Sequence, residues 1–480
     1  MVATTTKLIA NWVVHTGWND YPERVRLNGR DLCFDGLGVM VAGRADEVGK
    51  QIVEYVSQTH GDGDFSIVAT DIRTTSAGAA LANGTLAHAL DYDSAGGFGH
   101  PTAFVLPALL TLAQQRPTSG QALLEAFIAG CEVGQHLFAA GERAAPRFDQ
   151  MEHGIHASGL FGRLAATVAC AKLSGLDADQ IATALGLVAS TCSGLVRNFG
   201  TMVKPLHAGL AARDAILAVD LAARRWTACG SVIEGSLGLM DVFWGNEHVQ
   251  LEQVAARLGR MYLSTVLSGI KAYPTCGHNH PAIEAIRKLK AQGSFRVDEI
   301  RRVLVTSPNH PREVLLYDAP QDGLEAKFSL RYNVAAALLW DDLGIDAFSA
   351  ARVRDPRVTQ LMQKVELHVD AGGTGSQPRR VTVEITLEDG RTLSSNATPA
   401  EVPGSSTRPF DERALKAKYR SSLERVYPPD VADEMATRCF QWTDIQDVNE
   451  VLRRLSAALP DQFRKVPAHP ADSKESRLPG

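Results

Sequence analysis

The chain has 480 residues, 45% of them hydrophobic and 21% charged, with a formal net charge of -5. A length of this kind suggests about three domains at roughly 150 residues each. The small negative charge excludes a global attraction to nucleic acid or to an anionic membrane, so any anion site must be local.

The opening residues MVATTTKLIANWVVHTGW break their apolar run at Asn11 and His15 and so lack the apolar core of a secretory leader. The longest apolar stretches, such as 104–113 with Pro107 inside it, fall well short of the about 20 residues that a bilayer-crossing helix needs. Seven scattered cysteines form no CxxC pair, which fits small buried thiols in a cytoplasmic protein and argues against a structural zinc or an iron-sulfur cluster.

From about residue 3 to 265, helical periodicity dominates, in GQALLEAFIAGCEVGQHLF, GLFGRLAATVACAKLSG and AGLAARDAILAVDLAARR. Gly159, Gly162, Ala165, Ala166 and Ala169 recur at three- and four-residue spacing, which predicts close helix packing. Beyond about residue 267, the stretches 301–307 and 380–395 alternate apolar with polar residues, the second with a turn at Asp389 and Gly390, so strands enter. Between them, 281–292 and 329–343 read as helices and 370–378 as a Gly-rich loop. After about residue 400, helical texture returns in ERALKAKYRSSLERVY and DVNEVLRRLSAAL. The predicted fold is mainly α: a large all-helical domain over 1–266 and 400–462, a smaller inserted α+β domain over 267–399, and a disordered tail over 463–480.

Five stretches carry the polar residues that chemistry needs. In LANGTLAHALDYDSAGGFGHPTAFVLPALL, a helix carrying His88, Asp91 and Asp93 runs into a Gly-rich turn, and His100 follows just before Pro101. Asp91 and His100 can meet across that turn, and a carboxylate that orients an imidazole is a common general-base arrangement. Helix capping by the aspartates, with a satisfied surface histidine, is the plainer reading. In MEHGIHASGLFG, His156 precedes the close-packed helix and His153 lies one turn earlier, either facing a cleft or decorating a loop.

In RNFGTMVKPLHAGLAARDA, Lys204 and the free N–H groups of a helix start together favour an anion, with Arg197 as a second cation and His207 opening the helix. A solvated lysine is the alternative. In SGIKAYPTCGHNHPAIEAIRKL, Cys276, His278 and His280 share one face if the segment is extended. Those are acceptable metal ligands, but one short strand cannot close a tetrahedral site. Proton transfer by histidine, with Lys271 as a carboxylate anchor, needs fewer assumptions. In EAKFSLRYNVAAALL, Tyr332 follows Lys327 beside an apolar helix, either donating from the helix face or sitting in the core with its hydroxyl satisfied.

The order and wording of these phrases, from NGTLAHALDYD, GHPT and VLPALL through GTMVKPLHAGLAAR and YPTCGHNHPAIEA to AKFSLRY, resemble the MmgE/PrpD family of 2-methylcitrate dehydratase-like proteins. The resemblance implies a large helical domain with a smaller α+β lid domain, a homodimer, no required metal or organic cofactor, and a small di- or tricarboxylic acid as substrate. Carried over by motif, the site is Asp91, His100, His156, Lys204, His280 and Tyr332. The chain departs from the family's usual wording at Ser94, where another Asp often stands, and before His156, which follows Gly-Ile rather than an aromatic residue.

Dehydration, decarboxylation and epimerisation beside a carboxylate all pass through a carbanion-like state, whose charge fixed donors must meet. The expected roles follow. Lys204, supported by Lys271, Arg197 and His207, holds substrate carboxylates; His100 and His156 exchange protons; Asp91 fixes the His100 imidazole; and His280 and Tyr332 act from the lid side. An imidazole titrates near about 6.5 and a neighbouring carboxylate raises that value, which predicts activity that depends on pH in the neutral range. Dehydration ranks first, with epimerisation or decarboxylation behind it. A helical, dimeric, non-catalytic binding protein is the reading from another class.

Overall fold

Small residues let the central helices touch backbone to backbone, and that contact sets the geometry of everything near it. In the computed structural model, which describes residues 4–142, 154–244, 249–293, 295–308, 314–370 and 380–464, helices dominate and the fold is mainly α. The helix Ser76–His88 starts at Thr75, whose side chain accepts a hydrogen bond from Gly78 N–H at 3.2 Å. It runs antiparallel to the helix Val203–Ala223. A methyl group added to Gly84 would stand 2.7 Å from the carbonyl oxygen of Ala208, and one on Gly209 would strike the carbonyl of Leu81. Only glycines permit this crossing. It brings His88, at the end of one helix, against Lys204, at the start of the other.

Around this pair, the helices Pro101–Leu112 and Ala157–Leu173 pack with Gly162 against the Phe104 ring, as the small-residue spacing predicts. One apolar core runs through all of them, from Ile9 to Leu459. The returning helices Glu412–Leu423, Pro429–Phe440 and Val448–Ala457 belong to that core, and the Tyr419 ring stacks on Phe34 with centroids 4.0 Å apart.

A second core forms around a four-stranded sheet in the order Val365–Asp370, Ile300–Pro308, Val381–Leu387, Thr392–Ala397. The first pair is parallel, with Val303 opposite Val365; the others are antiparallel, with Val383 opposite Ser395. Val381–Leu387 alternates buried and half-buried residues, the period-two pattern of its sequence. The helices His280–Ala291 and Leu330–Leu339 contribute to this core.

Several expectations need correction. The predicted all-helical part also holds short strands: Phe65–Ser66 pairs with Arg73–Thr74, and Ser94–Ala95 pairs with Gly269–Ile270 of the predicted inserted domain. Strands this short leave no periodic signal. Residues 277–279 form a single 3-10 turn that leads straight into the helix at His280, so Cys276, His278 and His280 do not share the face of a strand. All seven cysteines are free thiols, but Cys229 is exposed rather than buried. His153, residues 371–378 of the Gly-rich stretch and residues 465–480 lie outside the described residues. No helix among the described residues is long and apolar enough to cross a membrane.

Candidate active site

The helix that begins at Ser76 ends at His88, so Asp91 and Asp93 stand beyond it, on the turn that leads to His100. Asp91 has φ 51°, in the left-handed region that residues with a side chain seldom adopt. Its neighbours hold it there. The carbonyls of Ala89, Asp91 and Tyr92 accept from the ammonium groups of Lys327 at 3.0 Å, Lys271 at 2.9 Å and Lys418 at 2.8 Å. The short ladder that pairs Ser94 with Ile270 also brings Lys271 N–H to the carbonyl of Asp93 at 3.3 Å. Farther along, Gly99 has φ 112° and lies against Ser158, whose hydroxyl donates to Phe98 O at 2.8 Å and accepts from His100 N–H at 3.1 Å.

Hydrogen-bond partners decide the histidine tautomers. Nδ1 of His100 faces Asp93 Oδ2 at 3.0 Å and the Ser94 carbonyl at 2.9 Å, both acceptors, so this nitrogen carries the hydrogen. His88 Nδ1 faces Asp93 Oδ1 at 2.9 Å and is protonated for the same reason. Nε2 of His88 is then a lone pair, and it accepts from Lys204 Nζ at 2.8 Å. The Lys204 ammonium also donates to Asp91 Oδ1 at 2.9 Å, and Lys271 donates to the same oxygen at 2.6 Å. The other Asp91 oxygen, Oδ2, is buried and has no hydrogen-bond partner among the described residues. His156 and His207 meet Nδ1 to Nδ1 at 3.0 Å, so one donates and the other accepts.

The electrostatics follow from burial and neighbours. Burial pushes Asp91 up, but Lys204 and Lys271 outweigh it and hold the carboxyl well below the usual range. Burial acts likewise on Asp93, where His100 and His88 prevail and hold it low. Burial lowers His100, and Lys204 and Lys271 add to the fall against the pull of Asp93. The carboxylate acts in the expected direction, but burial and the two lysines outweigh it, so the net shift is opposite to the expected one. Burial and Lys204 push His88 down to about 3, burial and Lys271 push His280 to about 3, and burial and Arg163 push His207 to about 4. Burial and His207 hold His156 well below its ordinary value. Neutral imidazoles therefore sit among four buried ammonium groups, Lys204, Lys271, Lys327 and Lys418, and three buried carboxylates, Asp35, Asp91 and Asp93.

Above the turn opens a cavity of about 620 Å³ whose lining includes Asp91, His100, His156, Lys204, Lys271 and His280. Its other walls include Phe199, Phe328 and the segment 399–407. Five of the six residues carried over by motif thus converge, and Lys271 joins them.

Three expected residues do not line the cavity. Tyr332 is fully buried in the core around the sheet, its ring near Phe348 and its hydroxyl donating to the carbonyl of Ala347. Its helix is mostly apolar around its circumference apart from Arg331 and Asn333, so the sequence pattern gives no clear facing direction. Arg197 is exposed on the 3-10 turn Val196–Asn198. His207 stands behind His156.

Asp93, His88, Lys327 and Lys418 belong to the network, although the sequence argument assigned none of them to the site. The first two lie in the same phrase as Asp91, and that proximity is the signal available for them. Lys418 has no local signal: ERALKAKYRSSLERVY reads as an ordinary amphipathic helix.

His88, His100 and His156, or His88, Asp91, Asp93 and His100, present ligand atoms within 4.8 Å of one another. A metal ion there would meet the Lys204 ammonium, which already bonds both His88 Nε2 and Asp91 Oδ1. The residues present do not fit a cation.

Two family models match the chain in tandem, the MmgE/PrpD N-terminal domain over residues 7–252 and the MmgE/PrpD C-terminal domain over residues 273–441. Relatives that align over nearly the whole chain include a cis-aconitate decarboxylase of Mus musculus, 24% identical over 97% of this chain and 96% of its own. One from Homo sapiens is 25% identical over 92% of each chain, and one from Aspergillus terreus is 26% identical over 94% of this chain and 96% of its own.

Proposed function

The chain belongs to the MmgE/PrpD family and is an enzyme, and on that premise we propose that it is a cofactor-independent lyase that decarboxylates a small cis-aconitate-like polycarboxylic acid. The observation that carries this reading is the charge of the site. Of the charged groups that line the cavity, the ammoniums of Lys204 and Lys271 face the single carboxylate of Asp91, beside the neutral imidazoles of His100, His156 and His280, which leaves one positive charge in excess. Such a cavity takes an anion and has fixed donors for a second developing charge.

Substrate carboxylates bind against Lys204 and Lys271. The bond to the departing carboxylate breaks and CO₂ leaves, its electron pair passes into the adjoining double bond, and the far carbon of that allylic system takes a proton from His100 or His156. That imidazole takes up the proton from solvent when the substrate anion binds beside it. The substrate's own double bond and remaining carboxylates carry the negative charge in transit. A well-placed donor to that charge is worth about 3 to 4 kcal/mol, and a positioned proton transfer contributes about 10²- to 10⁴-fold. Residues 267–399, which bring His280 and Phe328 to the cavity, act as the lid of a homodimeric, cytoplasmic enzyme in this reading.

Decarboxylation moves ahead of dehydration because the relatives named above are decarboxylases. Dehydration of a hydroxy acid stands second on a separate observation: Asp91 Oδ2 is a buried acceptor without a partner among the described residues, and a substrate hydroxyl supplies a donor for it.

The test is proton NMR of the purified protein in D₂O with cis-aconitate, citrate, 2-methylcitrate and iminodisuccinate, beside a Lys204→Ala control. Loss of CO₂ from cis-aconitate with deuterium entering the product, absent in the control, supports the first reading. Double-bond formation from citrate or 2-methylcitrate selects the second. No reaction with any acid, from folded protein, overturns both.

A further inference from the structure

Three lysines from three separate stretches of chain hold the turn that carries Asp91 and Asp93, and two of them, Lys327 and Lys418, do not line the cavity. Lys418 lies on the returning helix Glu412–Leu423, 326 residues beyond Tyr92. Its buried Nζ donates to the Tyr92 carbonyl at 2.8 Å and stands 4.0 Å from the centre of the Tyr92 ring. It also lies 2.8 and 3.0 Å from the two carboxylate oxygens of Asp35, on the helix Glu23–Gly43. Asp35 does not line the cavity either.

Stability by itself does not call for such a pair, because well-packed apolar residues in the same space serve a core as well or better. What the pair does hold is the carbonyl next to a strained residue. Asp91 keeps φ 51° at a cost that only its surroundings can sustain. From that backbone the two carboxylates diverge, Asp91 toward Lys204 and Lys271, Asp93 toward His88 and His100. If the Tyr92 carbonyl is released, the turn loses one of the three ammonium contacts that keep Asp91 left-handed, and both carboxylates lose their aim.

We propose that Lys418, with Asp35 as its counter-charge, is a positioning residue of this site: it anchors the Tyr92 carbonyl, and through it the left-handed backbone at Asp91 on which the aim of Asp91 and Asp93 depends. The site is then complete only when the helix Glu412–Leu423 is docked. The proposal rests on the function proposed above for its kinetic readout alone.

The experiment compares the full-length parent with Lys418→Met and Lys418→Arg, and with the double variant Asp35→Asn/Lys418→Met, which removes both buried charges together. Each is measured by thermal unfolding, by steady-state kinetics per folded molecule with the acid that the parent turns over, and by crystallography of the turn. The expected result is a folded Lys418→Met or double variant with KM within about threefold of the parent, kcat lower by about 10²-fold, and Asp91 out of the left-handed region. Lys418→Arg, which keeps the donor, recovers most of the rate. A Lys418→Met variant, or the double variant if the single one does not fold, that keeps the parent's kcat and the parent's Asp91 backbone overturns the proposal. So does a loss of activity accounted for by the unfolded fraction alone. If the parent turns over no acid, the functional reading fails, and the backbone at Asp91 alone decides the positioning role.

Discussion

Asp93 Oδ2 accepts the Nδ1 hydrogen of His100 at 3.0 Å, and this contact leaves the lone pair of the imidazole on Nε2, the nitrogen that lies 3.8 Å from Asp91 Oδ1. The first prediction follows from it. In Asp93→Asn, an amide replaces an acceptor that His88 and His100 share, so neither ring keeps its tautomer. Steady-state kinetics should show kcat lower by about 10²- to 10⁴-fold. KM should move little, since Asp93 does not line the cavity.

His207 should matter through His156. The Nδ1 to Nδ1 contact at 3.0 Å fixes which nitrogen of His156 carries its hydrogen, and a shift of that one proton turns His156 from an acid into a base at its other nitrogen. His207→Phe removes the partner and should lower kcat by at least about 10-fold, whereas His207→Gln, which keeps a polar group there, should retain more of the rate. Equal rates for parent and His207→Phe would exclude this relay.

Tyr332 and Arg197 should be dispensable for turnover. Tyr332→Phe leaves the buried carbonyl of Ala347 without its donor and should cost about 1 to 3 kcal/mol in denaturant unfolding, with kcat per folded molecule unchanged. Arg197→Ala, at an exposed turn, should change neither quantity measurably. A large loss of kcat in either variant would return that residue to the site.

Stability should depend on pH through the buried imidazoles. His88, His100, His156, His207 and His280 are all lowered in the folded protein, chiefly by burial, so the unfolded chain binds more protons than the folded one below its own value of about 6.5. The stabilisation is therefore complete above about pH 6.5 and is lost as pH falls toward the folded values, at roughly 1.4 kcal/mol per pH unit for each histidine. Unfolding followed by circular dichroism from pH 7.5 to 5 should show a steep fall in Tm. A flat profile would mean that these rings are solvated.

Binding of a polycarboxylate should take up a proton at a pH between the values of the free and the liganded imidazoles. The free site holds neutral imidazoles, and an anion bound beside His100 and His156 raises both. The complex then binds more protons than the free protein, so affinity should weaken as pH rises through the raised values that these imidazoles take in the complex, by up to about tenfold per unit. Calorimetry in buffers of different ionisation enthalpy measures that uptake directly, and a titration heat independent of buffer would rule it out.

Much of this molecule was legible in its residues. The three- and four-residue spacing of Gly159, Gly162, Ala165 and Ala169 announced helices in close contact, and the alternation over 380–395 announced the hairpin of the sheet, because both periods are local properties of the chain. The convergence of Asp91, His100, His156, Lys204 and His280 was legible through the wording of five phrases that the chain shares with its family.

The partnership within the site was not legible. The sequence pointed to Asp91 as the carboxylate for His100, whereas the closer partner is Asp93, because a left-handed residue turns Asp91 toward the two lysines instead. That backbone is held by ammonium groups from positions 271, 327 and 418, whose distance along the chain leaves no periodic trace in the turn they hold. Tyr332 sits on a mostly apolar helix, so nothing local says which core it enters. By itself the sequence determined the helices, the strands and the kinds of group available for chemistry, since these depend on residues a few positions apart. Only the packing of distant segments decided which charge meets which, since a buried ion pair forms where the cores bring its partners together.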